Sequence, residues 1–365
     1  MRPKTARDNV RVAHIWPKHD SNLGDHFVQR GIVKLLQERL GSFEYADFSN
    51  KRDALSAEEP VGITRDSVAR INRSDLLVIG GSNLYEVTGG RWGVVVEPEA
   101  LAELRAPVLL IGIGSGWSFA FPEFPLFPEQ VREQLAGLHR LARGSSVRDD
   151  LTARVLNNHG IGPCTVTGCP AGYVAERDMQ PVRGGTVGVA FLPKRMYAAP
   201  TWNPRRRRST TYRRRRVITA LFLGVLRELQ ARGHSLRVLV LDGDDEPLAR
   251  RLLGTGYVYD PNPDVMLEQI AGCDVIVGFR LHAGIAGLSF GVPPIPILSD
   301  GRNVAFAETF GLLELSVPLD PGGVAMVLER VELALGPKRS LWESVVQRRA
   351  RFSGVMRDFL VRSLA

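Results

Sequence analysis

The sequence predicts an α/β fold with two parallel sheets, on three observations. Short apolar runs ending in glycine or polar residues alternate with amphipathic stretches, the βαβ pattern of open parallel sheets. The series runs twice, on either side of a polar, glycine-containing stretch at 176–185. The length of 365 residues suits two domains at roughly 100 to 200 residues each.

The elements follow in order. Val10–Trp16 reads as the first strand, and in SNLGDHFVQRGIVKLLQERL the residues Phe27, Ile32, Leu35, Leu36 and Leu40 approach helical spacing. Asp75–Ile79 is a strand running into GGSN, and Pro107–Ile113 is another running into GSGW. Val131–Arg143 reads as a helix, Ser145–Arg148 as a short strand, Asp150–Asn157 as a helix and Val166 as part of a last strand before GCPAGY. The second series opens with the strand Thr186–Leu192. A helix at Val217–Arg232, the strand Ser235–Leu241, a helix at Asp264–Ala271 and the strand Asp274–Phe279 follow. LHAGIAGLSFGV then reads as a helix leading into the strand Pro293–Leu298. In the last 25 residues Trp342, Val346, Phe352, Val355, Phe359 and Leu360 lie near one helical face, which suits a helix docked on a domain. The expected division is therefore 1–180, 181–340 with an Arg-rich loop at 205–216, and a C-terminal amphipathic helix at 341–365.

Composition narrows the class. At 44% hydrophobic and 24% charged, the chain has enough apolar residues for sizeable cores, and global disorder is excluded. Lys and Arg number 47 against 39 Asp and Glu, a net charge of +8. Eight of those arginines are Arg205–Arg208 and Arg213–Arg216, so the rest of the chain is formally neutral. Three cysteines, Cys164, Cys169 and Cys273, form neither a disulfide framework nor a CxxC metal knuckle. No signal-like apolar segment follows the basic N-terminus, and no run reaches the roughly 18 apolar residues of a membrane span. The expected location is cytoplasmic, with any membrane contact peripheral.

In doubly wound sheets ligands bind beyond the carboxyl ends of the strands, so residues just after each strand are the candidates. Asn22, Gly24 and Asp25 follow the first: glycine permits close approach, and the helix N-terminus behind it favours an anion. Asp25 either caps that helix or takes a proton from a substrate hydroxyl. Gly81, Ser82 and Asn83, and likewise Gly114 and Ser115, lie in turns whose N–H groups are suited to an anion. Neither turn carries the Lys-Ser/Thr of a Walker loop. Arg148 in SVRDDL and Arg280 with His282 in GFRLH complete the set. Two apart at a strand end, Arg280 and His282 project to one side in extended geometry. A guanidinium grips a carboxylate or phosphate bidentately, and an imidazole moves a proton near neutral pH.

These segments, NLGD, DLLVIGGSNLY, SSVRDDLTARVL, TGCPA and above all CDVIVGFRLHAGIAGLSFGVP, resemble the polysaccharide pyruvyl transferase family over roughly 12–310. The resemblance implies two Rossmann-like domains facing a cleft in a GT-B-like arrangement. It implies phosphoenolpyruvate as co-substrate, with no other cofactor and no metal, and a pyruvate ketal as product. The acceptor is then a sugar, oligosaccharide or lipid-linked saccharide with two suitably placed hydroxyls, on the N-terminal side of the cleft. Carried over, the anion-binding arginines fall on Arg148 and Arg280, the catalytic histidine on His282, and the Gly-Asp aspartate on Asp25. TGCPA places Cys169 where many members have aspartate.

Two other readings belong to other activities. A nucleotide-sugar glycosyltransferase shares the architecture, but its ribose-binding glutamate would fall on Ala286. A nucleic-acid-binding protein would use the arginines as an electrostatic footprint, yet only Tyr212 is interleaved and no specific nucleic acid is expected. Arg205–Arg216 instead suits an anionic acceptor or an anionic membrane surface.

Overall fold

The computed structural model describes residues 10–18, 21–51, 59–86, 91–116, 127–191, 204–320 and 322–365, with backbone alone for Glu86, Arg91, 204–215 and Arg339. The N-terminal half comprises β1 (Val10–Trp16), α1 (Leu23–Leu40), β2 (Phe43–Ser49), α2 (Arg65–Ile71), β3 (Leu76–Gly80), β4 (Tyr85–Glu86), β5 (Arg91–Trp92), α3 (Pro98–Glu103), β6 (Val108–Ile113), α4 (Glu129–Leu141), β7 (Ala142–Val147), α5 (Asp150–Asn158) and β8 (Thr165–Val166). The second half comprises β9 (Thr186–Ala190), α6 (Pro204–Ala231), β10 (Ser235–Leu239), α7 (Glu246–Leu253), α8 (Pro263–Ala271), β11 (Val275–Gly278), α9 (Leu281–Ser289), β12 (Pro294–Leu298), α10 (Gly301–Phe310), β13 (Val317–Pro318), α11 (Gly323–Leu335) and α12 (Glu343–Ser363).

Two parallel sheets result, ordered β2-β1-β3-β6-β7-β8 and β10-β9-β11-β12-β13. β3 and β6 are buried along their whole length. Such strands, covered on both faces, read as continuous apolar runs. In each sheet the first strand has its successors on opposite sides: β2 and β3 flank β1, and β10 and β11 flank β9. A crevice opens beyond the carboxyl ends where the strand order reverses in this way.

One hydrophobic core covers a single face of the first sheet with Ile15, Phe48, Ile79 and Ile113 among its members. The other continues from the α1 face, through Phe27 and Ile32, into the second half and onto α12. The halves thus share packed apolar surface. α12 serves both: Trp342 Nε1 donates to Pro294 O of β12 at 3.1 Å, and Tyr173 Oη donates to Phe352 O at 3.2 Å. Trp342 caps α12, whose own buried stripe is Val345, Arg349, Ser353, Met356, Phe359, Leu360 and Ser363.

The expected Arg-rich loop is corrected. Arg205–Arg216 lies inside the 28-residue helix α6, Pro204–Ala231. Arginine is a good helix former, and no glycine or proline interrupts 205–231 before Gly224. The side chains of 205–215 lie outside the described ones. Among the described residues, no helix is long and apolar enough to cross a membrane.

Candidate active site

α1 begins at Asn22, whose side chain accepts from Gly24 N–H at 3.3 Å and donates to Asp25 Oδ2 at 2.8 Å. Asn22, and not Asp25, is therefore the helix cap. Asp25 is buried in the first turn. The segment is stitched to the end of β10 in the other sheet. Leu23 N–H donates to Leu241 O at 2.9 Å, Gly243 N–H to Ser21 O at 3.3 Å, and Ser21 Oγ to Asp242 Oδ1 at 2.6 Å. The seam between the halves thus runs through the first candidate motif.

Arg280 and His282 follow β11, but not in extended succession. Arg280 is the N-cap of α9 with extended backbone, and His282 stands in the first helical turn. Helix geometry separates side chains two apart, so only the surrounding seam brings their polar ends together. The bidentate grip expected of Arg280 is also altered. Its Nη1 donates to Asn22 Oδ1 at 3.1 Å, its Nη2 to Asp242 Oδ2 at 2.8 Å and also to Asp245. One fork thus reaches across the seam to Asn22 and the other is held within the second half, because a buried guanidinium demands buried carboxylates. Burial pushes the Asp242 carboxyl up, but Arg280, Ser21 and Asp244 N–H together hold it below its ordinary value.

His282 lies against Gly24 so closely that a methyl group there would sit 2.1 Å from Nδ1. Only glycine lets the two helix starts meet. Its Nε2 is buried without a hydrogen-bond partner. Burial first, then the charges of Arg148, Arg302 and Arg280, lower its pKa to about 3. The imidazole is therefore neutral at pH 7 in this state.

Arg148 follows β7 and is 3% exposed. Nε donates to Asp149 Oδ2 at 3.0 Å and Nη2 reaches Ser115 O at 3.5 Å. Gly114 leaves the space for it: a Cβ would lie 2.3 Å from its Cζ. Nη1 of Arg148 and Nε of Arg280, like His282 Nε2, are buried without partners. Cys169 of TGCPA is buried near this arginine, and burial, only partly offset by Arg148, raises its thiol to about 11. It stays neutral where an aspartate would add charge.

The N–H cradle expected of the glycine turns does not form at three of its positions. Gly81 N–H donates to Ile111 O at 2.8 Å, Gly114 N–H to Ser82 O at 2.8 Å, and Ser115 N–H to Thr152 Oγ1 at 2.9 Å. β6, the neighbouring turn and α5 satisfy these buried donors. Asn83 remains suited to a ligand, with a buried Oδ1 that has no partner.

Sequence reasoning missed Asp242, Asp245, Asp300 and Arg302. DGDDE follows β10 and SDGR follows β12, so the carboxyl-end rule applied to every strand would have found them. Asp300 caps α10, accepting from Arg302 and Asn303 N–H, and pairs with the Arg302 guanidinium. Arg302 interacts electrostatically with both His282 and Asp25. The seam thus gathers Arg148, Arg280, Arg302, His282 and Asp25 from four segments, with carboxylates beside each arginine.

The two-sheet architecture matches solved structures at low sequence identity. One is S. aureus MnaA in a co-structure with UDP, with a TM-score of 0.53 and 14% identity over 96% of this chain and 97% of that one. Another is UDP-GlcNAc 2-epimerase from Neisseria meningitidis bound to UDP-GlcNAc, with a TM-score of 0.54 and 10% identity over 98% and 99%. These likenesses establish a GT-B-like fold. No curated protein matches the sequence. The profile of polysaccharide pyruvyl transferases matches residues 22–301, which span every segment of the seam up to the start of α10. With most of its length matched, and with Asn22, Asp25, Arg148, Arg280 and His282 drawn to one seam, the chain belongs to the polysaccharide pyruvyl transferase family.

Proposed function

We propose that this transferase moves the pyruvyl group of phosphoenolpyruvate onto two hydroxyls of a saccharide, forming a ketal. The observation that carries the reading is the set of buried atoms without partners: Arg148 Nη1, Arg280 Nε and His282 Nε2. Unpaired buried donors are costly, and a donor's carboxylate and phosphate supply the acceptors that they lack. The N-terminus of α9 adds its own preference for an anion.

The residues divide the work. Arg148, with Arg280 through Nε, holds the donor anion, and Arg302 adds positive charge near His282. Asp242 and Asp245 keep Arg280 fixed, so little reorganisation is needed on binding. His282 is neutral before binding because burial, and beyond it the charges of three arginines, oppose its proton. An anionic donor offsets those charges and raises the pKa of the imidazole. Donor binding is therefore coupled to proton uptake and weakens as pH rises.

In the reaction, His282 gives a proton to the methylene carbon of the donor, and C2 becomes oxocarbenium-like. One saccharide hydroxyl attacks C2 and loses its proton, with Asp25 as the acceptor of that proton. The C–O bond to phosphate then breaks and inorganic phosphate leaves. The second hydroxyl attacks the same carbon, passes its proton to His282 and closes the ring, while the proton held by Asp25 goes to the phosphate. Phosphoenolpyruvate and a diol thus give ketal and phosphate, with no oxidant or reductant needed.

A positioned acid contributes about 10²- to 10⁴-fold, so His282→Ala should lower phosphate release by that factor while thermal unfolding stays cooperative. Turnover near the wild-type value in that variant would sink the assignment. The solved neighbours in complex with UDP or UDP-GlcNAc motivate one rival, a diphosphate-linked sugar at the same anion site. Parallel incubation with phosphoenolpyruvate and with UDP-sugars decides by which is consumed.

A further inference from the structure

We propose that Glu176 is a positioning residue that locks the angle between the two halves and so fixes the contact of Gly24 with His282. Glu176 lies in the connection between β8 and β9 and has φ 59, one of two non-glycine residues with positive φ among the described residues. A left-handed glutamate needs its surroundings to hold it. Ser353 Oγ donates to its Oε1 at 2.5 Å, Arg357 Nη2 donates to its Oε2, and Lys34 Nζ stands 3.9 Å away. Those partners come from α12 and α1. Lys34 also donates to Tyr173 O at 3.0 Å, and Arg357 reaches Glu38 Oε2 at 3.3 Å. One carboxylate therefore ties the connection, the first helix of the N-terminal half and the C-terminal helix.

The next residue ties α9. Arg177 N–H donates to Ser289 O at 2.7 Å. Arg349 Nη1 of α12 donates to Arg177 O at 2.6 Å, Leu288 O at 3.0 Å and Ser289 O at 3.1 Å. Arg349 is 6% exposed, and it places positive charge at the carbonyl end of the helix that carries His282. α1 and α9 thus meet at their N-termini in the site and are fastened by 176–177 and α12 further along. From Lys34 back to Gly24 is about 15 Å at 1.5 Å per residue. A rotation of about 5° over that length shifts Gly24 by roughly 1.3 Å, enough to undo its contact with the imidazole.

The catalytic consequence rests on the His282-centred reading, whereas the locking itself does not. The test uses the full-length protein with Cys164→Ser and spin labels on cysteines at exposed Glu44 and Glu329, one on each half. Glu176→Gly relieves the left-handed backbone and removes the carboxylate, and Glu176→Gln keeps a hydrogen-bond acceptor but no charge. The expected result is a broader distance distribution for Glu176→Gly, a smaller broadening for Glu176→Gln, and a kcat reduced at least tenfold in Glu176→Gly with donor KM within threefold. Unchanged distances in Glu176→Gly would overturn the lock, whatever the turnover. Broadened distances with wild-type kcat would overturn its role in positioning His282. Broadening in a protein that consumes no phosphoenolpyruvate even as wild type would uphold the lock and reject the donor. If Glu176→Gly fails to fold, Ser353→Ala with Arg357→Met removes the same grip and is judged by the same distances.

Discussion

Replacing Gly24 with alanine inserts one methyl group between the first turn of α1 and the imidazole of His282. Its Cβ would lie 2.1 Å from Nδ1, 2.7 Å from Cγ and 2.9 Å from Cβ of His282, short of the 3.4 Å of ordinary contact by as much as about 1.3 Å. The ring cannot simply swing aside, since its own Cβ is among the atoms met. Overpacking of this kind costs about 1–3 kcal/mol, and alanine recovers up to about 1 kcal/mol over glycine in a helix. The net loss of stability is therefore modest, about 0–2 kcal/mol. Displacing a catalytic group by about 1 Å, by contrast, costs on the order of 10²-fold in rate. Phosphoenolpyruvate-dependent phosphate release should thus fall about 100-fold while the thermal transition moves little. Gly354→Ala in α12, where a Cβ meets nothing within 4 Å, serves as the control and should retain full activity. A Gly24→Ala enzyme within threefold of wild type would refute the argument that this contact positions His282.

Three further outcomes are expected. Burial lowers His14 to about 3, His139 to about 4 and His282 to about 3, from an ordinary 6.5. Between pH 6.5 and 4 the unfolded chain then binds more protons than the folded one, so stability falls on acidification by up to about 1.4 kcal/mol per pH unit for each histidine. Urea midpoints that stay level from pH 7 to 5 would contradict this. Arg148→Met breaks an ion pair whose side chains are 4% and 3% exposed, and should cost about 3–5 kcal/mol by equilibrium unfolding besides abolishing donor binding. Unchanged stability would show that Asp149 does not depend on Arg148. Replacing the eight arginines of 205–216 by glutamine preserves helix propensity and removes charge worth about 1 kcal/mol each near an anionic bilayer. Co-sedimentation with phosphatidylserine vesicles should drop, and equal recovery of both proteins would reject the membrane-contact proposal.

β3 and β6 are legible in the sequence because a strand buried on both faces writes an unbroken apolar run. β2, FEYADFS, is not: it is an edge strand, partly or fully exposed over its first five residues, and carries no comparable signal. α10 and α11 are hard to read from the sequence for a different reason. Both lie beyond the last expected strand, and the mixed sequence of α10 is buried because β12, α5, α9 and α12 pack around it. α6 is the opposite case, where an arginine run suggested a loop and the helix continues through it.

The sequence by itself determined the α/β class, the twofold series of strands and helices, and the candidates Asp25, Arg148, Arg280 and His282, because burial periodicity and glycine at strand ends are local properties. Only the tertiary structure decided how those candidates act together. It gave the forks of Arg280 to Asn22, Asp242 and Asp245, brought Arg302 near His282, and kept that imidazole neutral by burying it and, beyond that, by surrounding it with positive charge. The physical reason is that charge and desolvation depend on distance in space. Residues 22, 148, 242, 280 and 302 acquire a common electrostatic fate only where two sheets meet.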